Sequence, residues 1–180
     1  LNVEDYVKSA QNGDEISLGV LYKLYSKAML NTSIRILKER HQAEDVMQDA
    51  FINAFRNIGK LKDPKSFGGW LKRITINESL KHIKKSFLWV EVSEEMDIQV
   101  DSDAIEDEWW KDFEFTELLN LIDILPSGCR LIFNLFAIES LSHKQISDRL
   151  NISESTSKTQ YRRAKQMLRN MALSQRKIDG

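Results

Sequence analysis

Apolar residues recur along the chain at intervals of three and four, and sustained alternation is scarce, so the pattern predicts helices. From Val3 to Gln11 it gives a short first helix, ended by Asn12-Gly13, where glycine accepts left-handed backbone, and Asp14 can cap the next. The second carries Ile16, Val20, Leu21, Leu24, Tyr25, Ala28 and Met29, and continues through Ile34 to Leu37 with a local irregularity. Gln42 to Asn57 is the cleanest amphipathic segment. Ala43, Val46, Met47, Ala50, Phe51, Ala54 and Phe55 form its apolar stripe, and Glu44, Asp45, Gln48, Asp49 and Asn53 stand largely outside it. Beyond Gly59 and Lys62-Asp63-Pro64, a further helix is expected from about Ser66 to Lys85, with Phe67, Trp70, Leu71, Ile74 and Leu80 facing inward. Four helices of this kind bury one core, which makes residues 1–87 an all-helical domain.

The stripe then lapses. Residues 88–102 are acidic and read as a linker, although Trp89 and the alternating Val and Ile residues equally suit an extended strip lying on one domain. Helical spacing resumes at Asp103, a cap with Glu106 three residues on, and Trp110, Phe113, Leu118, Leu121, Ile122 and Leu125 face inward until Pro126 stops it. Trp109 and Trp110 read as packing residues. After Pro126-Ser127-Gly128 comes an apolar run, Cys129 to Ala137. Residues 103–180 thus make a second helical domain, and the fold class is all-α.

The most informative stretch is Leu141 to Met171. Ser142 and Gln145 form a capping-box pair, the hydroxyl accepting a first-turn amide and the glutamine reaching back. Ile146 and Leu150 face inward, Asn151-Ile152 turns the chain, and Ser153 can cap a second, longer helix. This is a helix-turn-helix pattern. On the second helix Ser157, Tyr161, Ala164, Leu168 and Met171 point to the core. Ser155, Thr159, Arg162 and Gln166 point away, with Lys158, Arg163 and Arg169 on the flanks. Such a face suits the major groove, where Ser, Thr, Gln and Arg bond base edges and flanking cations meet phosphates.

Charge sharpens this picture. The net charge of -1 conceals three blocks: residues 1–87 hold 15 Lys and Arg against 10 Asp and Glu, 88–117 hold 1 against 12, and 118–180 hold 10 against 5. Two basic pieces joined by an acidic one suit two surfaces that meet polyanions. The acidic block would avoid duplex DNA, and its like charge would hold the basic domains apart or mask them. The single cysteine, Cys129, excludes an intramolecular disulfide and a several-cysteine zinc site; among Leu125, Leu131, Ile132 and Phe133 it reads as a quiet buried thiol. The beginning of the chain has no signal-peptide form and no apolar run reaches membrane-spanning length, so a cytoplasmic protein without membrane insertion is expected.

Two sets of residues carry a resemblance to a known family. Leu125-Pro126, Arg130-Leu131-Ile132-Phe133, Leu141 to Ile146, Asn151 to Lys158, Arg162 to Lys165 and Leu168 resemble the fourth conserved region of extracytoplasmic-function sigma factors. Ala43 to Phe51, Phe67 to Ile74 and Asn77 resemble the second. The resemblance implies that the first domain grips the clamp helices of bacterial core RNA polymerase and opens the minus-ten promoter element, while the second reads the minus-thirty-five element. Carried onto this chain, Glu44, Asp45, Gln48 and Asp49 would meet the polymerase. Trp70, Arg73, Asn77, Lys81, Lys84 and Lys85 would face opened minus-ten DNA, Trp70 more as core than as a stacking platform. Ser155, Lys158, Thr159, Arg162, Arg163 and Gln166 would face the upstream element. An anti-sigma factor is the regulatory partner expected of the family.

The chain departs from the family pattern at Lys81, where an acidic residue is common, at Ser155-Thr156-Ser157 in place of Gly-Thr-Val, and at Gln160, often arginine. These departures leave the promoter sequence open. No catalytic residue, cofactor or metal is expected: His41, His82 and His143 lack close ligand spacing, and neither HExxH nor a phosphate-binding glycine loop is present. A DNA-binding regulator that ignores polymerase is the rival reading.

Overall fold

The computed structural model describes residues 2–86 and 114–176, apart from the side chains of 84–86, 115, 175 and 176. The acidic linker at 88–102 and the helix start expected at Asp103, with Glu106, Trp109, Trp110 and Phe113, lie outside the described residues. Among the described residues every regular element is helical. The chain divides into two compact units, Leu1–Phe87 and Leu88–Gly180.

The first unit contains α1 (Val3–Gln11), α2 (Glu15–Leu37), α3 (Arg40–Arg56) and α4 (Phe67–Ser86). Short polar residues set the ends of α1 and α2. Asn2 and Asp5 cap α1 reciprocally at 3.0 and 3.1 Å, and Gly13 at φ +90° makes the left-handed exit. Asp14 accepts the Ser17 N–H at 3.1 Å and the Ile16 N–H at 3.3 Å. The Ser17 hydroxyl also bonds Asp14, and this bond above all holds the carboxyl below its ordinary range.

α2 runs without the irregularity expected within it and ends at Lys38, φ 69°. Its inward row is Ser17, Leu21, Tyr25, Met29, Thr32 and Ile36, spaced by four and three. Ile16 and Leu24 sit one position off that row, a rotation of about 100°, and are 78% and 55% exposed. The apolar pattern of α2 is therefore wider than the face its neighbours α1, α3 and α4 cover. The stripe of α3 is buried as its spacing requires, with Phe55 half-buried.

Phe67 and Leu71, with Trp70 and Ile74 packed alongside, bring α4 into the core formed with Leu21 and Phe51, and Leu80 and Ile83 are buried further along the helix. Full burial of one such side chain stabilises by about 1.5–3 kcal/mol. At the start of α4 a Cβ on Gly68 would fall 2.9 Å from the Tyr25 ring. That ring packs edge-on to Phe67 at 5.3 Å, so the close helix approach depends on glycine.

The second unit contains α5 (Phe115–Ile124), α6 (Ser127–Phe133), α7 (His143–Leu150) and α8 (Glu154–Arg176), with a π-helical turn at Asn134–Ile138. Leu121, Ile122, Leu125, Cys129, Phe133, Ala164, Leu168 and Ala172 form its core. α5 ends as Pro126 demands.

Candidate nucleic-acid and polymerase interfaces

In the second unit the two short helices preceding α8 brace it in place. Ser142 and Gln145 close the expected capping box at 3.2 and 3.0 Å. Asn151 takes left-handed backbone, φ 56°, which asparagine tolerates, and turns the chain between the helices. Ser153 Oγ then accepts the Thr156 N–H at 2.9 Å and opens α8. Side-chain bonds tie α8 to its neighbours: Ser157 Oγ lies 2.9 Å from His143 Nδ1 on α7, and Cys129 Sγ on α6 lies 3.0 Å from Gln160 Oε1.

This bracing leaves one face of α8 outward. Ser155, Lys158, Thr159 and Arg162 are exposed, whereas Arg163 and Gln166 are half-buried. Gln166 donates to Asn170 Oδ1 at 3.1 Å, and Lys158 pairs with Glu154 at 2.9 Å. Lys165 stands 5.3 Å over the Tyr161 ring. Two family departures fall inside. Ser157 is fully buried and Gln160 nearly so, hence these changes alter the bracing of α8 rather than its outward face. Burial pushes the Cys129 thiol up, with Arg163 opposing, as befits an unreactive sulfur.

In the first unit α3 presents a polar edge. Asp45, Gln48 and Asp49 are exposed, and Glu44 is half-buried and held by Arg40 at 2.8 Å. Ile52, 48% exposed, continues the same helix face at i+7 from Asp45. Sequence reasoning passed over it because a lone outward isoleucine carries no periodic signal. Carboxylates flanking an apolar residue suit a basic helical partner.

α4 carries the other expected row. Trp70, Arg73, Asn77 and Lys81 recur at three and four on one side; Arg73 and Lys81 are exposed and Asn77 half-buried. Trp70 is half-buried, packed on the core and 6.1 Å from the Phe67 ring, so it serves packing while keeping one side open. The side chains of Lys84 and Lys85 lie outside the described residues. Lys81 is bonded to Glu78 at 2.8 Å, and the same carboxylate oxygen accepts Asn53 of α3 at 3.0 Å. An acidic group therefore stands beside Lys81, three residues earlier.

The two units match separate parts of one protein class. Residues 21–86 match the model described as sigma-70 region 2, and residues 115–168 match that described as sigma-70, region 4. In that order they define a sigma factor of RNA polymerase. The chain is 29% identical to the ECF RNA polymerase sigma factor SigW of Bacillus subtilis, over 93% of this chain and 95% of the relative. It is 24% identical to SigM of the same organism, over 86% of this chain and 94% of the relative. A solved structure of CnrH in complex with the cytosolic domain of CnrY shares the fold, with TM-score 0.51 and 18% identity, covering 96% of this chain and 97% of that one. The chain belongs to the extracytoplasmic-function family of sigma factors and acts with RNA polymerase in promoter recognition and transcription initiation.

Proposed function

We propose that residues 1–87 and 103–180 work as two promoter-binding domains joined by the acidic linker 88–102, without catalytic chemistry of their own, in the cytoplasm. The α3 edge of Glu44, Asp45, Gln48 and Asp49 meets the clamp helices of core polymerase. Trp70, Arg73, Asn77, Lys81, Lys84 and Lys85 line the opened minus-ten strand, where cations follow phosphates and capture of unstacked bases offsets the cost of melting. Ser155, Lys158, Thr159, Arg162, Arg163 and Gln166 enter the major groove of the minus-thirty-five element. An anti-sigma factor holds the protein in reserve, an assignment supported by the complex of CnrH with CnrY.

The observation that carries this reading is the outward set Ser155, Lys158, Thr159 and Arg162 on a capped and cross-bonded α8. The experiment combines the purified chain with core RNA polymerase and a library of promoter fragments, and maps start sites. Initiation from a shared pair of elements is expected. Tight DNA binding by the chain alone, with no effect on any competent core enzyme, would replace it with a polymerase-independent regulator.

A further inference from the structure

The short connection between α3 and α4 is held in place by a residue far away in sequence. Ile58 and Leu61 point into the first core beside Val7 and Ala10 of α1, while Gly59, Lys60 and Lys62 stay exposed. The turn closes through the Leu61 N–H on the Ile58 carbonyl at 3.1 Å. Gln11, the last residue of α1, donates its side-chain amide to the Ile58 carbonyl at 3.0 Å and to the Leu61 carbonyl at 2.8 Å. An amide nitrogen carries two hydrogens, so both go to this turn. At the other end Asn57 donates to the Asn53 carbonyl and side chain at 2.9 and 3.0 Å. Asn53 in turn holds Glu78, and Glu78 holds Lys81. A continuous polar chain thus couples the turn to α4, and Gln11 anchors its far side.

We infer that Gln11 is a positioning residue for promoter opening: by fixing the Ile58 and Leu61 carbonyls it sets where Lys60 and Lys62 meet the phosphates of DNA lying along α4. This rests on the reading of α4 as the surface for the opened strand. Lys60 and Lys62 flank buried Leu61, so rotation of the turn would redirect both ammonium groups together. A cationic turn ordered in advance binds DNA without first losing backbone freedom, which a loose turn must do on contact. Sequence spacing alone does not reveal the bond, because Gln11 lies 47 residues from Ile58.

The test uses the full chain with core polymerase on a promoter found by start-site mapping. It compares wild type, Gln11→Met, the pair Lys60→Ala with Lys62→Ala, and all three together. Gln11→Met is expected to bind core polymerase like wild type, keep its helical content, and form open complexes about fivefold more slowly, the scale of losing one or two net hydrogen bonds. Added to the lysine pair it should cause no further loss, since its effect passes through those lysines. Opening by Gln11→Met at the wild-type rate, or a loss that multiplies with that of the lysine pair, overturns the inference. Gln11→Leu, uncharged and shorter, also removes the donors and answers the same question if the methionine variant fails to fold. A wild-type chain that initiates nowhere removes the promoter-opening reading itself, and the positioning role with it.

Discussion

His143 Nδ1 lies 2.9 Å from Ser157 Oγ, so the first residue of α7 is bonded directly to a fully buried position on α8. The imidazole also stacks on Phe136 at 4.2 Å and meets Tyr161 edge-on at 5.7 Å. Partial burial, then the Lys158 ammonium, holds its pKa below the ordinary 6.5, with Glu154 pulling the other way. The folded unit therefore favours the neutral ring.

A depressed histidine pKa gives stability that is complete above the unfolded value and lost as the pH falls through the interval between unfolded and folded values. Amide exchange in α7 and α8 should accelerate as the pH is lowered below about 6.5, after correction for intrinsic exchange. His143→Asn, which does not titrate, should show a smaller pH dependence. Equal dependence in both proteins would assign the effect to other groups.

The neighbouring glycines of α4 should respond oppositely to alanine. A Cβ at Gly68 meets Tyr25 at 2.9 Å, whereas one at Gly69 meets nothing within 4 Å. Gly68→Ala should destabilise the first unit by about 1–2 kcal/mol through overpacking. Gly69→Ala should stabilise it by up to about 1 kcal/mol through helix propensity. Urea unfolding of the two variants, with unchanged slope, reads both signs.

Arg162 and Lys158 share the outward face of α8 but differ in surroundings, because Lys158 already pairs with Glu154. Arg162→Ala should weaken binding to the upstream element by about 1–3 kcal/mol and relax preference at one base position. Lys158→Ala should weaken binding evenly across sequences and lessen its salt dependence. Fluorescence anisotropy with single-base variants of the site, at several salt concentrations, separates base reading from phosphate contact.

Charge reversal on α3 should uncouple the protein from polymerase without unfolding it. Asp45 and Asp49 are exposed, so Asp45→Lys with Asp49→Lys should lower affinity for core polymerase by tenfold or more, about 1.4 kcal/mol. Stability should change by only about 0.5 kcal/mol. Glu44→Ala should do less, since Glu44 is held by Arg40. Sedimentation of the mixtures measures the order of effects.

Much of this architecture was legible in the chain because its signals are local. Asn12-Gly13, Asp14, Ser142 with Gln145, and Ser153 each fix a helix end within a few residues, and the stripe of α3 is continuous. What escaped depends on partners distant in sequence. Spacing marks Ile16 and Leu24 as apolar but does not say that no helix of the unit covers them. The inward placement of Gln160 follows from Cys129, 31 residues away, and Lys81 is tied back to α3 through Glu78 and Asn53. The surface roles expected of α3 and α4 came from the family resemblance, since surface polarity by itself fits any solvated helix, whereas the DNA-reading face of α8 followed from its own capped helix-turn-helix pattern.

Beyond the Tyr25–Phe67 packing, α2 and α4 also bury small polar side chains, Thr32 and Ser33 on the one and Thr75 and Ser79 on the other. Thr75 and Ser79 return their hydroxyls to carbonyls four residues back on α4, at 3.0 and 2.8 Å, and Ser79 approaches Ser33 of α2 at 3.5 Å. Ser33 and Ser79 are both fully buried, so neither position has room for a larger side chain. A bulkier residue at Ser33 or Ser79 would lever the whole rod outward, carrying Trp70, Arg73 and Lys81 away together as one rigid comb.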